Sequence, residues 1–200
     1  MIRRHKWLAL FTVAYMVGFN ALALSRGNSE FLFYGVVMLV IIAGVVVMHL
    51  RVRFSSGVLW LLAVWGLAHM AGGTVRVGDG VLYSYWFVQD RLKYDNVVHC
   101  YGFFCATLAA FEAARGMVRE DARFGIGMFI LFWCAGMGLG AVNEVVEFAA
   151  VLALPETNVG GYINTGWDMV ANMVGAGAAC VWLWVRSGGG GRAPRRAVGA

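Results

Sequence analysis

The chain has 200 residues, 60% of them hydrophobic and only 14% charged, with a mean hydropathy of +0.70, where a soluble domain carries about 25% charged and about 45–50% apolar residues. That excess of apolar side chains excludes a soluble enzyme, a secreted disulfide scaffold and a disordered chain. The net charge of +5 belongs to the loops of a membrane protein rather than to a nucleic-acid surface.

A span needs about 20 mainly apolar residues to cross about 30 Å of hydrocarbon. Six stretches qualify, at about 7–24, 31–50, 57–73, 94–114, 124–152 and 167–185. The expected fold is therefore an all-α, polytopic transmembrane helix bundle, a single transmembrane domain over 1–186. The first stretch follows Arg3, Arg4 and Lys6 and ends in Ala21-Leu22-Ala23, which has the outline of a cleavable signal peptide. Its long apolar core, holding Tyr15 and Asn20, favours a retained span. Segment 187–200 is Gly-rich and basic, without apolar periodicity, and is expected to be a disordered tail near anionic headgroups.

Lys and Arg set the orientation. Twelve of the sixteen fall on the side of the N-terminus, 51–53, 115–123 and the tail, and four on the other: Arg26, Arg76, Arg91 and Lys93. Both termini are expected on the cytoplasmic side, with membrane lipids as neighbours and no nucleic-acid partner.

In that orientation the ionisable residues gather at the outer ends of the spans. His69 lies about one turn from the end of the third span. Asp95 and His99 open the fourth, four residues apart and so on one face. Glu144 and Glu147 lie near the outer end of the fifth, with Asn143 beside them. Asn164 precedes the sixth span, Asp168 opens it, and Asn172 lies one turn deeper. The inner halves carry little beyond Glu112.

A charge at mid-membrane costs about 2.5–3.5 kcal/mol on insertion scales, less near the interface. Four carboxylates on neighbouring helices must face one another or a wet cavity, and they repel unless protons, a cation or nearby Arg and Lys neutralise them. Singly, each residue has an ordinary explanation. Asp95 and Asp168 would cap helix N-termini, His99 would be a satisfied interior histidine, and Glu147 would snorkel. His5 and His49 sit with basic residues at the inner boundary. Glu144-x-x-Glu147 inside an apolar run is harder to explain as packing, because two carboxylates one turn apart raise each other's pKa.

Carboxylates with imidazole on facing helices suit Zn, Mn or Fe. The candidate metal ligands are Asp95, His99, Glu144, Glu147 and Asp168, with His69, Asn164 and Asn172 as orienting groups. Glu144 or Glu147 would be the general base of a hydrolysis on a lipid or lipid-linked substrate, whose phosphate Arg76, Arg91 and Lys93 would hold. The alternatives are headgroup binding without catalysis, proton coupling, and a polar lock that fixes helix register. No H-E-x-x-H, G-x-S-x-G or histidine-rich box is present.

The aromatic residues of the 74–93 loop, Tyr83, Tyr85, Trp86 and Phe87, would form an interfacial belt or a lid over the polar residues. Gly136-x-x-x-Gly140 and Gly175-Ala176-Gly177 mark close helix packing. Cys100, Cys105, Cys134 and Cys180 lie in apolar stretches without a C-x-x-C pair and are expected to be buried thiols.

His69-x-x-Gly72-Gly73, Tyr94-Asp95-x-x-x-His99-x-x-x-Phe103, Glu144-x-x-Glu147 and Trp167-Asp168-Met169 with Asn172 and Gly175 resemble the YjdF-like (DUF2238) family of bacterial inner-membrane proteins. A more distant likeness is to VanZ-like proteins. The resemblance runs from about 66 to 177 and implies a polytopic membrane protein, but brings no activity with it. The chain departs from the family pattern in having Thr74-Val75-Arg76 after the glycines, and Asn164 where an aspartate precedes the last Asp by one turn. An amide oxygen there can still coordinate a hard cation.

Overall fold

The computed structural model of the chain describes residues 5–118 and 123–189. Arg3, Arg4, Arg119 and the tail from 190 onward, with Arg192, Arg195 and Arg196, lie outside them. Six helices run in chain order: α1 (Lys6–Ser25), α2 (Ser29–Val52), α3 (Ser56–Thr74), α4 (Tyr94–Ala114), α5 (Ile126–Ala153) and α6 (Tyr162–Arg186). All six are long and apolar enough to cross a bilayer. They form because long apolar runs can satisfy their backbone groups in hydrocarbon only within a helix. Side chains such as Val17, Val36 and Val40, each more than 60% exposed, face outward, where lipid would cover them.

α6 begins at Tyr162, five residues before the apolar stretch read from the sequence. Its extra turn is polar and is held by side chains: Asn164, inside the helix, donates to Asp95 Oδ2 at 3.2 Å and to Asp168 Oδ2 at 2.6 Å. Asp168 therefore sits in the second turn rather than opening the helix, so it is not an N-terminal cap.

The helices alternate in direction, and α3–α4 contacts join an α1–α2–α3 group to an α4–α5–α6 group. Two apolar cores lie at opposite ends. One gathers Phe54, Leu59, Phe111, Phe124, Phe132 and Leu183 at the end where α3 starts and α4 finishes. The other gathers Tyr15, Met16, Phe31, Tyr34, Met38 and Met70 toward the end bearing the α3–α4 connection, so α1 is packed into the bundle through Tyr15, Met16 and Ala23. Glu112 belongs to the first end, where its carboxylate accepts from the Ser55 backbone N–H at 2.7 Å and satisfies an open donor at the start of α3. At the other end Arg26 and Asn28 donate to the Thr74 and Gly73 carbonyls, satisfying the last turn of α3.

The tightest helix pair is α4–α6. A Cβ on Gly175 would lie 1.9 Å from the Cys100 carbonyl oxygen, so this glycine is needed for α4 and α6 to approach, and one on Gly140 of α5 would lie 2.8 Å from Asn172 Nδ2 of α6. The four cysteines are free; Cys105 and Cys180 are buried, Cys100 is half-buried, and Cys134 is exposed rather than buried, on the apolar exterior of α5.

The α3–α4 connection is ordered by two short antiparallel hairpins, β1 (Arg76–Val77) with β2 (Gly80–Val81) and β3 (Trp86–Val88) with β4 (Leu92–Lys93). A single 3-10 turn, Leu82–Ser84, lies between them. It divides the aromatic residues: Tyr85 and Phe87 are 45% and 52% exposed, as in an interfacial belt, whereas Tyr83 turns inward against Gly72, Phe31 and His69.

Candidate functional site

α4, α5 and α6 each bring polar side chains to one level, between the two cores. His99 is the hub. Its Nε2 lies 3.5 Å from Asp95 Oδ1, one turn earlier on α4, and 3.5 Å from Glu147 Oε1 on α5. Its Nδ1 lies 3.6 Å from Glu144 Oε1 and 3.0 Å from Asn172 Oδ1 on α6. Asp168 is fully buried and accepts from Asn96 Nδ2 at 3.0 Å. Asp95, His99, Glu144, Glu147 and Asp168 are thus one cluster. Glu147 does not snorkel: only 17% of its side chain is exposed, and Asn143 donates to it at 2.8 Å.

The partners are unequally distributed. Asp95 and Asp168 share the Asn164 amide, and Lys93 Nζ donates to the Asn164 carbonyl oxygen. Glu144 is different. Both its carboxylate oxygens are shut away from solvent and have no hydrogen-bond partner among the described residues. A buried carboxylate in that position is costly unless something positive faces it.

Asp95, His99 and Asp168 can each offer a donor atom such that all lie within 4.8 Å of one another, and so can His99, Glu144 and Glu147. Metal bonds of about 2.0–2.2 Å to O and N set the donors of a tetrahedral site about 3.3–3.6 Å apart, the range of the 3.5 Å His99–Asp95 and His99–Glu147 separations.

The remaining residues singled out from the sequence fall in different places. His69 makes no hydrogen bond to the cluster among the described residues; its Nδ1 and the Tyr83 hydroxyl share a 2.6 Å hydrogen bond. Both line a polar cavity of about 40 Å³ whose walls also include Glu30, Tyr34, Asp95 and Glu147. Burial, reinforced by the Asp95 and Glu147 carboxylates, pushes the Tyr83 phenol well above its ordinary pKa, so it stays protonated as the roof of that cavity. Of the three cations, Lys93 stands over the Trp86 ring and reaches Asn164, Arg91 is exposed beside an apolar groove between α4 and α6, and Arg76 is exposed on β1.

Sequence reasoning missed Glu30, Tyr34, Asn96 and Asn158. Glu30 is buried in the first turn of α2 and accepts from the Asn158 backbone N–H at 2.9 Å and side chain at 2.6 Å, a link between α2 and the α5–α6 connection. A glutamate just after an N-capping Asn28 reads as an ordinary helix start, and nothing in the sequence pairs it with a residue 128 positions away. Tyr34 is buried with its hydroxyl unpartnered among the described residues, inside an otherwise apolar run. Only Asn96, adjacent to Asp95, carried a signal that could have been read.

The fold and the buried polar layer define a multi-pass membrane protein built from six apolar helices. The chain matches, over residues 7–188, the family model described as a predicted membrane protein (DUF2238), and it belongs to that family. No curated protein and no solved structure matches it, and the likeness to VanZ-like proteins finds no support.

Proposed function

We propose that the polar layer is a divalent-cation site in the outer half of a bacterial inner membrane, in a protein with both termini cytoplasmic, and that it serves hydrolysis of a lipid or lipid-linked substrate. The single observation that carries this reading is Glu144, a buried carboxylate with both oxygens unpartnered beside an imidazole and three further carboxylates. Lys93 and one imidazole cannot balance four negative charges. The donor set of carboxylate oxygens with one imidazole suits Zn, Mn or Fe.

Hydrogen bonding assigns roles. Asn172 Oδ1 accepts from His99 Nδ1–H, which leaves Nε2 facing Asp95 and Glu147. Asn164 and Asn96 hold Asp168 and Asp95 in place through their amides. Glu147 is engaged by Asn143, whereas Glu144 has free lone pairs, so Glu144 is the better general base. It would take a proton from water as the water oxygen bonds to the ester carbon or phosphorus, and would return that proton to the departing alkoxide. A bound cation would polarise the oxygen under attack and lower the pKa of the water.

The test is elemental analysis of the purified protein beside Glu144→Gln, with both proteins incubated in phospholipid vesicles and the released products followed by mass spectrometry. A stoichiometric metal that the variant loses, together with product formation that a chelator stops, supports the reading. Metal without turnover reduces it to headgroup or cation binding. Absence of metal from both proteins overturns it in favour of proton coupling or a polar lock.

A further inference from the structure

Between α4 and α6, on the side opposite the polar cavity roofed by Tyr83, runs a groove of about 460 Å³, within the roughly 300–1,000 Å³ range of small-molecule sites. Its walls are apolar: Val97, Tyr101 and Phe104 from α4, and Trp167, Val170 and Val174 from α6. It exists because Gly175 lets the helix backbones touch at Cys100, so the larger side chains on either side stand up around a hollow. The wall is fixed in advance, since the Tyr101 hydroxyl donates to the Leu61 carbonyl at 3.1 Å.

Three features select an occupant. Along α4 the groove runs from Asn96 to Phe104, about 12 Å at 1.5 Å per residue, close to half of the roughly 30 Å hydrocarbon thickness. That depth fits a hydrocarbon chain of one leaflet. At the mouth stands Arg91, also in the lining, exposed and in no salt bridge among the described residues. At the same end lies Asn96, which lines the groove and whose amide donates to the buried Asp168, so one side chain touches both the groove and the carboxylate cluster.

We infer that the groove binds one acyl chain of an anionic glycerophospholipid, with its phosphate on the Arg91 guanidinium and its ester region beside Asn96. This names the substrate class for the hydrolysis proposed above and rests on that reading for the chemistry alone; lipid binding stands without it. Apolar side chains in a recess at hydrocarbon depth gain dispersion contacts only when the recess is filled. The guanidinium then distinguishes anionic from zwitterionic headgroups.

The full chain, reconstituted in phosphatidylcholine vesicles with a trace of phosphatidylglycerol carrying a photoactivatable acyl chain, tests this by mass-spectrometric mapping of the label. Labelling should concentrate in peptides spanning 97–104 and 167–178 and should be competed by unlabelled phosphatidylglycerol but not by added phosphatidylcholine. Arg91→Gln should weaken that competition about fivefold, the worth of one surface cation near an anionic headgroup. Val174→Trp, at a position 54% exposed, should abolish groove labelling with thermal stability and metal content unchanged. Label spread evenly over the apolar faces of α1 and α2 would overturn the inference. So would displacement by a polyprenyl phosphate but not by phosphatidylglycerol, or cross-linked dimers closed across α4 and α6. Metal-free protein that still labels in the groove upholds lipid binding while removing the hydrolase; metal-loaded protein without groove label overturns lipid binding in the groove while leaving the cation site standing.

Discussion

Replacing Glu144 by Gln should change stability in opposite directions with and without metal. Glu144 and Glu147 carry oxygens within 4.8 Å of each other, and two unit charges at that separation repel by about 3.5 kcal/mol at an effective dielectric of about 20. One imidazole offsets this only in part, because Asp95 and Glu147 face its other nitrogen. An amide in place of Glu144 removes the repulsion but leaves its own buried donors unmet, at about 1–3 kcal/mol. The net gain is on the order of 1–2 kcal/mol. In chelator the variant should therefore melt about 2–8 °C above the wild type, at about 2–4 °C per kcal/mol for a chain of this size. With metal at about 100 times its dissociation constant, the wild type should gain about 2.7 kcal/mol, or about 5–11 °C. A site weakened about a hundredfold would gain only about 0.4 kcal/mol at the same concentration, so the order of melting should reverse. Thermal unfolding of the detergent-solubilised proteins, monitored by tryptophan fluorescence in chelator and in Mn²⁺ or Zn²⁺, reads the crossing. Equal metal-induced shifts in the two proteins, or none in the wild type, would refute the reasoning.

Further outcomes follow from the same geometry. Asp168→Asn replaces one of the two oxygens that accept from Asn96 and Asn164 by an NH2 donor and should cost about 1–3 kcal/mol, with faster hydrogen exchange confined first to the turn 162–166 of α6. Tyr83→Phe keeps the ring against Gly72 but loses the bond to His69, costing about 1 kcal/mol in chemical denaturation, whereas Tyr83→Ala should cost about 3–5 kcal/mol through the lost packing. In a cysteine-free background, Gln89→Cys should react with a membrane-impermeant maleimide applied to intact cells, and Gly116→Cys should react only after permeabilisation. The opposite pattern would invert the orientation derived from Lys and Arg.

The helices were legible because hydrocarbon imposes one solution on long apolar runs. α4 spans the same residues in sequence and structure, Tyr94–Ala114. The exception, the early start of α6, depends on bonds from Asn164 to Asp95 and Asp168, which join residues up to 69 positions apart and leave no trace in local hydropathy. The cluster around His99 could be read in outline because carboxylates in apolar runs stand out. Its internal pairing could not: which oxygen meets which amide depends on how far α4 and α6 approach at Gly175. The hairpins of the α3–α4 connection were missed because strands of two or three residues lack a usable alternation pattern, and the inward turn of Tyr83 depends on the space left above Gly72.

All five carboxylate and imidazole groups of the cluster belong to α4, α5 and α6, the last three helices among the described residues. During synthesis α4 must therefore enter the bilayer with Asp95 and His99 before α5 and α6 have left the ribosome, and α5 must follow with Glu144 and Glu147 before α6. The full set of neighbours around each group exists only once α6 has entered, so biogenesis should be the stage most sensitive to insertion factors. Changes that ease the passage of α5 should raise yield even where they impair the assembled protein.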